Sequence, residues 1–533
     1  MRPAYLNRLL IGAIILAAGL VARHLLLKAV AALNPPNWHV FGPDIFYVLS
    51  GIYEPTGQAL VALAALTFVV VHLCTQKAAP FSPNFPLPKV ALVALVVFSW
   101  CFWGTSAFYH RFPLSLDENA AFFQMHAFLQ GHIAPAIPTD LLPYKHAIVP
   151  EFIERLPDNT VTSSYFPIYA SLLALGSAIF GTPWVVNPLL AAGAIFLVYG
   201  VAQNLNVSKA FTGWAVVLLA TSSQFLVNGM SAYAMTSHLF FSLAWLYFYT
   251  HPNRRFYYVC PWLGVLAMGL HNPFPHTWFV LPFLFRLLLD RRWSEVFYSI
   301  VVYLAGGILW ICWMHATRPE DVAMAEKAFV FPGAQAGFIF ILSMLVLMSW
   351  QNFLTIVFFV AALFRARRMP PFFVDLLAGL ALTMIFYMFY TRSQGAGWGY
   401  RYMHQVLGNL VLVAAWGAAQ YSISRITFAV VTAIALLVQM VYRCNEASEV
   451  VGRQAASYAA IAHMDADYVI LERSGGWSVQ ELVRNDPDFK NRPIVLFRGP
   501  LSGDQFHDLM DNHKAVYLDR DELAKIGVPV LKK

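Results

Sequence analysis

Long apolar stretches recur along this chain, separated by short polar or basic links, and they set the first reading. Spans fall near 9–33, 57–75, 89–110, 184–203, 209–228, 231–249, 256–271, 274–290, 293–315, 340–364, 372–390, 404–422 and 425–443. A helix needs roughly 20 apolar residues to cross a hydrocarbon core, so the pattern predicts about 13 crossings. The stretch 164–181 is also apolar, but Pro167 interrupts it and it reads as an interfacial segment. After residue 443 the pattern changes. Charges become dense, and the apolar runs shorten to 468–471, 494–497 and 515–518. Helix-like stretches near 479–484 and 504–510 lie between them, the second preceded by Ser502 as a cap. Strands alternating with helices predict a small α/β unit with a parallel sheet. The expected fold is therefore mainly α: a polytopic helix bundle with a C-terminal α/β unit. It divides into two additional N-terminal helices (1–88), a main membrane region (89–443) and a soluble unit (444–533).

Composition agrees with this class. Of 533 residues, 59% are hydrophobic and 12% charged, about half the charge of a soluble domain. The first span lacks a small-residue cleavage site and reads as a retained helix. Cys74, Cys101, Cys260 and Cys312 sit in or beside apolar spans and read as packing residues, not a disulfide framework. The net charge of +7 has a topological origin. Arg2, Arg8, Lys77, Lys89, Lys209, Arg254, Arg255, Arg291, Arg292, Arg365, Arg367, Arg368 and Arg425 all fall in links on one side, as the positive-inside rule requires. This puts the N-terminus in the cytoplasm, in a multi-pass plasma (bacterial inner) membrane. Residues 111–165, 316–334, 391–403 and the C-terminal unit then lie outside. Nothing in the charge pattern calls for nucleic acid.

Asp117 and Glu118 stand just past the span 89–110, at the head of the long external loop. Carboxylates at a membrane rim usually mark chemistry or a pathway, and one of them can serve as a general base. From Asp117 onward, Ala121, Phe122, Met125, Phe128 and Leu129 recur at helical steps, predicting a surface helix. Ser115-Leu116-Asp117-Glu118 also matches a capping box, in which Glu118 only closes the helix start and glutamine would serve as well. Downstream, Pro135, Pro138, Pro143, Pro150 and Pro157 punctuate a loop that reads as an ordered lid.

The span followed by Pro113-Leu114-Ser115-Leu116-Asp117-Glu118 and a surface helix resembles the first external loop of the GT-C superfamily. The likeness is to transferases that use polyprenyl-phosphate sugars: protein O-mannosyltransferases, aminoarabinose transferases of lipid A and lipopolysaccharide galacturonosyltransferases. Tyr165-Phe166-Pro167, Gly181-Thr182-Pro183-Trp184, Asn187-Pro188-Leu189-Leu190, Ser237-His238 and Gly397-Trp398-Gly399-Tyr400-Arg401-Tyr402 extend the similarity over about residues 89–425. Relatives usually place the acidic motif after the first span, whereas here two extra spans precede it, so that three spans lie before Asp117.

That resemblance implies a membrane glycosyltransferase with inverting chemistry, in which Asp117 is the base and Glu118 its helper. The donor is a polyprenyl-phosphate-linked sugar and the acceptor a lipid, glycan or protein of the envelope, with membrane lipids around both. The phosphate needs a cationic partner. Arg401 is the first candidate, since its fork matches phosphate geometry; Arg392 and Lys145 are further ones. His271, His276, His404 and Tyr402 are expected to line the pocket, and His238 to bond a neighbouring helix. No cofactor is called for, although a divalent cation is an open alternative, with Glu320, Asp321 and Glu326 as acids that would help hold it. Two competing classes are a lipid-linked glycan flippase or transporter and a GT-C-like polymerase or ligase. Neither internal repeats nor several mid-span charges favour transport.

Overall fold

A computed structural model describes residues 53–528, apart from 76, 318–333, 391–393, 395–396, 422 and 474–476, together with residues 19 and 49. The span 9–33 apart from residue 19, and Arg392, Glu320, Asp321 and Glu326, lie outside the described residues. The chain is mainly helical. Six described helices are long and apolar enough to cross a membrane, or up to eight if each bent pair is one span. The expected count of about 13 is thus not reached among the described residues.

Polar breaks account for much of the difference. Asn352 caps Phe353–Leu363 through its side chain, and the chain bends by 114° between Ile339–Ser349 and that helix. Ser222 likewise caps Ser223–Met230 after Lys209–Ala220, with a bend of 52°. The stretches expected at 231–249, 256–271 and 404–422 form the shorter helices Met235–Tyr249, Cys260–Met268 and Leu407–Ala419. Pro167 does not interrupt its segment. It occupies the first turn of Pro167–Phe180, where its missing N–H costs nothing, and left-handed Gly181 ends the helix.

No proline interrupts residues 425–462, and the helix continues past residue 443 to Ala462. Where it leaves the bundle, Arg443 is fully buried between Glu54 at 3.0 Å and Glu446 at 2.7 Å, and lies 4.3 Å over the Trp350 ring. Every charge of this cluster is paired, as burial demands.

Beyond that helix, β3 (Tyr468–Leu471), β4 (Ile494–Phe497) and β5 (Ala515–Leu518) form a parallel sheet in the order β4-β3-β5. Helix Gly503–Asn512 follows Ser502, which caps it in a capping box with Gln505. The period-two alternation of a strand sends side chains to both faces. Val469, Leu471, Val495 and Leu518 pack with Ile461, Leu482 and Leu523. Tyr468, Ile470, Ile494 and Leu496 pack instead on Phe123, Ile137, Leu141, Tyr144, Ile148 and Ile153 of the segment 111–165. The loop, which contains the antiparallel pair β1 (Ile153–Arg155) and β2 (Val161–Ser163), therefore shares a core with the C-terminal sheet. A main-chain bond from Phe497 N to the Ala147 carbonyl (2.9 Å) and one from Tyr144 Oη to Asp508 (2.5 Å) join them. The loop expected as an ordered lid is thus packed against the C-terminal sheet.

Candidate active site

The helix Leu116–Leu129 begins at Ser115, whose hydroxyl accepts from Glu118 N (3.3 Å) while Glu118 Oε2 accepts from Ser115 N (3.1 Å). The capping box read from sequence is present. Glu118 Oε1 also accepts from Tyr109 Oη and from Ala232 N, each at 2.8 Å. Glu118 is buried, and all these bonds point into scaffold.

Those bonds shape what surrounds Asp117. The chain between Met230 and Met235 is non-helical, so its main-chain groups need partners. Glu118 takes Ala232 N, Tyr169 Oη donates to the Ala232 carbonyl (2.7 Å), and Asn187 Nδ2 donates to the carbonyls of Ser231 (2.7 Å) and Tyr233 (2.8 Å). The segment is pinned from three elements and presents Tyr233 beneath Arg401, 4.9 Å from guanidinium to ring centroid.

Arg401 arrives from the other end of the chain. Gln394 accepts from its main-chain N (2.8 Å) and donates to Gly399 O (2.9 Å), Asn228 donates to Trp398 O (2.9 Å), and Gln224 donates to Tyr400 O (2.9 Å). Gly399 has φ +68°, a conformation glycine adopts without penalty, and a Cβ there would strike Gln224. This explains the glycine in the Gly-Trp-Gly-Tyr-Arg-Tyr motif on conformational grounds.

Asp117 and Arg401, 284 residues apart, meet at 2.6 Å between Oδ2 and Nη1. Their side chains are 13% and 8% exposed. Tyr165 Oη donates to the other oxygen, Oδ1, and the Tyr165 ring stacks on His271 with centroids 3.8 Å apart. A small, narrow cavity lies beside the pair, with Asp117, Ser163, Tyr165, Tyr169, Tyr233 and His271 among its lining. Arg401 Nε is buried and has no partner. Burial works to raise the Asp117 carboxyl, but Arg401, His271 and the Tyr165 hydroxyl outweigh it and hold the group below the usual carboxylate range. The arrangement supplies an ionised acceptor of protons, an anion-seeking fork with one edge unused, and flat aromatic walls.

The other expected site residues divide. His271 lines the cavity. Tyr402 stacks on Tyr387 (4.4 Å) and lies 5.6 Å from the Arg401 guanidinium. His276 Nε2 lies 2.9 Å from Tyr303 Oη, and its Nδ1 is unpartnered. His404 is buried with both ring nitrogens unpartnered. His238, expected to bond a neighbouring helix, is buried with Nε2 unpartnered. Lys145 donates to Asn159 Oδ1 (3.0 Å) within its own loop and is not part of the cavity wall. Its neighbours Tyr144 and Ala147 are both tied to the C-terminal unit. Among the described residues no group of three or more His, Cys, Asp or Glu is placed to hold a metal ion. Tyr233 and Tyr169 carried no functional signal in the sequence, since each is one aromatic among 24 tyrosines.

Glutamine at 118 fares less well than the capping box alone suggests. Its amide oxygen can keep Tyr109 and Ala232, but its NH2 then faces Ser115 N, donor against donor. Glu118→Gln is expected to fold with stability lowered by about 1–3 kcal/mol, the cost of a buried unmet donor. Burial pushes the Glu118 carboxyl up to about 7, against the pull of its Tyr109, Ser115 and Ala232 bonds. A raised folded-state value gives stability that is full below the unfolded value and lost as pH rises through about 7. The advantage of wild type over Glu118→Gln should therefore shrink as pH rises from about 5 to about 8 in thermal melts. A gap that widens with pH would contradict this burial.

No protein-family model and no curated protein sequence matches the chain. Solved structures do. ArnT from Cupriavidus metallidurans bound to undecaprenyl phosphate aligns with a TM-score of 0.55 at 14% identity, covering 83% of this chain and 91% of that one. The same protein in the apo state aligns with a TM-score of 0.53 at 13% identity, covering 82% and 90%. ArnT is an aminoarabinose transferase of the GT-C family, and this multi-pass membrane protein has the fold of those structures.

Proposed function

We propose that this chain is a membrane glycosyltransferase that moves a sugar from a polyprenyl-phosphate donor to an envelope acceptor on the extracytoplasmic face of the plasma membrane. The observation that carries the reading is the pairing of Asp117, on the wall of the cavity, with Arg401. The fold shared with an ArnT structure bound to undecaprenyl phosphate supports the donor class. The one-sided basic links support the face and a cytoplasmic N-terminus.

In this reading the acceptor hydroxyl gives its proton to the Asp117 carboxylate as its oxygen bonds to the anomeric carbon. The bond from that carbon to the phosphate oxygen breaks, and its electron pair leaves with the phosphate. Arg401 receives the charge that develops there, its unpartnered Nε offering a donor that Asp117 does not use. Tyr165 and His271, stacked, form a wall against which the sugar is oriented. A single displacement of this kind inverts the anomeric configuration. The sugar pocket draws on His276, His404 and Tyr402 as its deeper surroundings.

The test is a comparison of cell-envelope lipids by mass spectrometry between cells with and without the gene. Loss is expected to accumulate one polyprenyl-phosphate sugar and to strip that sugar from an envelope glycan, lipid or protein. If no polyprenyl-linked sugar accumulates, and the purified chain transfers none to envelope extracts, the reading fails.

A further inference from the structure

One contact reaches the Asp117 helix from more than 360 residues away. Arg484 lies shortly after the helix Trp477–Gln480 of the C-terminal unit and is buried. Its Nε donates to the Glu481 carbonyl of its own unit (2.7 Å). Its Nη2 donates to the Leu114 carbonyl (3.2 Å) and to the Pro113 carbonyl. The guanidinium lies 4.0 Å over the Phe112 ring and 5.7 Å from the Tyr458 ring. Among the described residues no carboxylate is within ion-pair distance of it. A buried cation whose hydrogen bonds all end on main-chain carbonyls is spending its charge on holding backbone.

The backbone it holds leads straight to the site. Leu114 precedes Ser115, the cap of the helix on which Asp117 sits in the first turn. Just upstream, His110 (φ 52°) and Arg111 (φ 47°) are successive non-glycine residues in the left-handed region. Such a turn persists only where its surroundings over-determine it. The helix Met440–Ala462 supplies part of that restraint, with His110 Nε2 lying 3.3 Å from the Ser448 carbonyl; Arg484 supplies the part nearest Asp117.

We infer that Arg484 is a positioning residue for Asp117. From the C-terminal unit it clamps the two carbonyls that lead into the Asp117 helix, and so sets where the carboxylate stands against Arg401. The inference rests on the reading of Asp117 as the base. It gives the C-terminal unit a role in assembling the catalytic centre, beyond any part in guiding an acceptor.

The experiment compares the full-length wild type with Arg484→Ala, Arg484→Lys and Asp117→Asn in two assays. One is sugar transfer from the polyprenyl-phosphate donor identified above, and the other is amide hydrogen exchange across residues 112–121. A misplacement of the order of 1 Å costs about 10²-fold in rate, so Arg484→Ala should lower kcat by about that factor. Donor KM should stay within about threefold, because ground-state binding is not what is lost. Added guanidinium ion should restore a large part of the rate to Arg484→Ala. Arg484→Lys, able to reach one carbonyl, should fall between. Amides 118 and 119 should exchange about tenfold faster, marking local release of the helix start. Unchanged rate and exchange in Arg484→Ala would overturn the inference. So would a loss that guanidinium does not rescue in a protein whose exchange rises across the whole C-terminal unit, which is packing and nothing more. Should Asp117→Asn transfer at the wild-type rate while amides 118 and 119 are released as expected, the catalytic reading of Asp117 fails and the clamp itself stands.

Discussion

Asp117→Asn is expected to lower sugar transfer by about 10²–10⁴-fold, the usual worth of a positioned general base. The fold should survive the change. The asparagine oxygen can accept from Arg401 Nη1, and its amide can donate to the Tyr165 oxygen, so both present partners keep a bond. What disappears is basicity. Arg401, His271 and Tyr165 overcome the burial that would raise the Asp117 carboxyl, so it is ionised throughout the neutral range. A lowered folded-state value means that its contribution to stability is full above the unfolded value and lost only as pH falls through the folded one. An acid limb in the rate near pH 7 would thus belong to Glu118, and should vanish in Glu118→Gln. Transfer by purified Asp117→Asn at close to the wild-type rate would remove this residue from the role.

The second large effect is expected at Arg401. Arg401→Ala should cost about 10²–10³-fold in transfer, as removal of one charge-stabilising donor typically does. Arg401→Lys keeps the charge without the fork, so it should recover only part of that. Stability should fall too. Removing one partner of a largely buried pair leaves the other uncompensated, at about 3–5 kcal/mol, with Asp117 and Arg401 only 13% and 8% exposed. Adding Asp117→Asn to Arg401→Ala should therefore return stability, though not activity, and a thermal melt of the double variant decides it. Equal donor binding and equal rate in Arg401→Ala and wild type would take Arg401 out of the site.

The residues most legible in sequence are those whose signal is local. Ser115 and Glu118 carry a capping box because its bonds lie within one turn. Periodicity over residues 117–129 reports the helix Leu116–Leu129 because Phe122, Met125 and their neighbours repeat at its pitch; that the helix is largely buried, and not laid along a surface, was not legible. Asp117 and Arg401 were each readable as external, chemically apt residues, yet nothing in the sequence showed that they touch. Lys145 looked equally apt, but it bonds Asn159 in a stretch whose neighbours Tyr144 and Ala147 dock on a helix and a strand 350 or more residues away.

Hydropathy and charge by themselves determined that this chain crosses a membrane many times, which residues end the apolar stretches, and where the acidic motif begins. Those properties depend on composition within a window, and water and lipid impose them on any chain. Whether a given apolar stretch crosses, bends or stops short was decided by side chains such as Asn352 and Ser222, whose caps turn the chain within the bundle. The partnership of Asp117 with Arg401, the pinning of Tyr233 by Glu118 and Asn187, and the shared core of loop and C-terminal sheet were decided by tertiary structure alone. Each is a contact between segments tens to hundreds of residues apart, and such contacts leave no period in the sequence because packing, not pitch, brings the partners together.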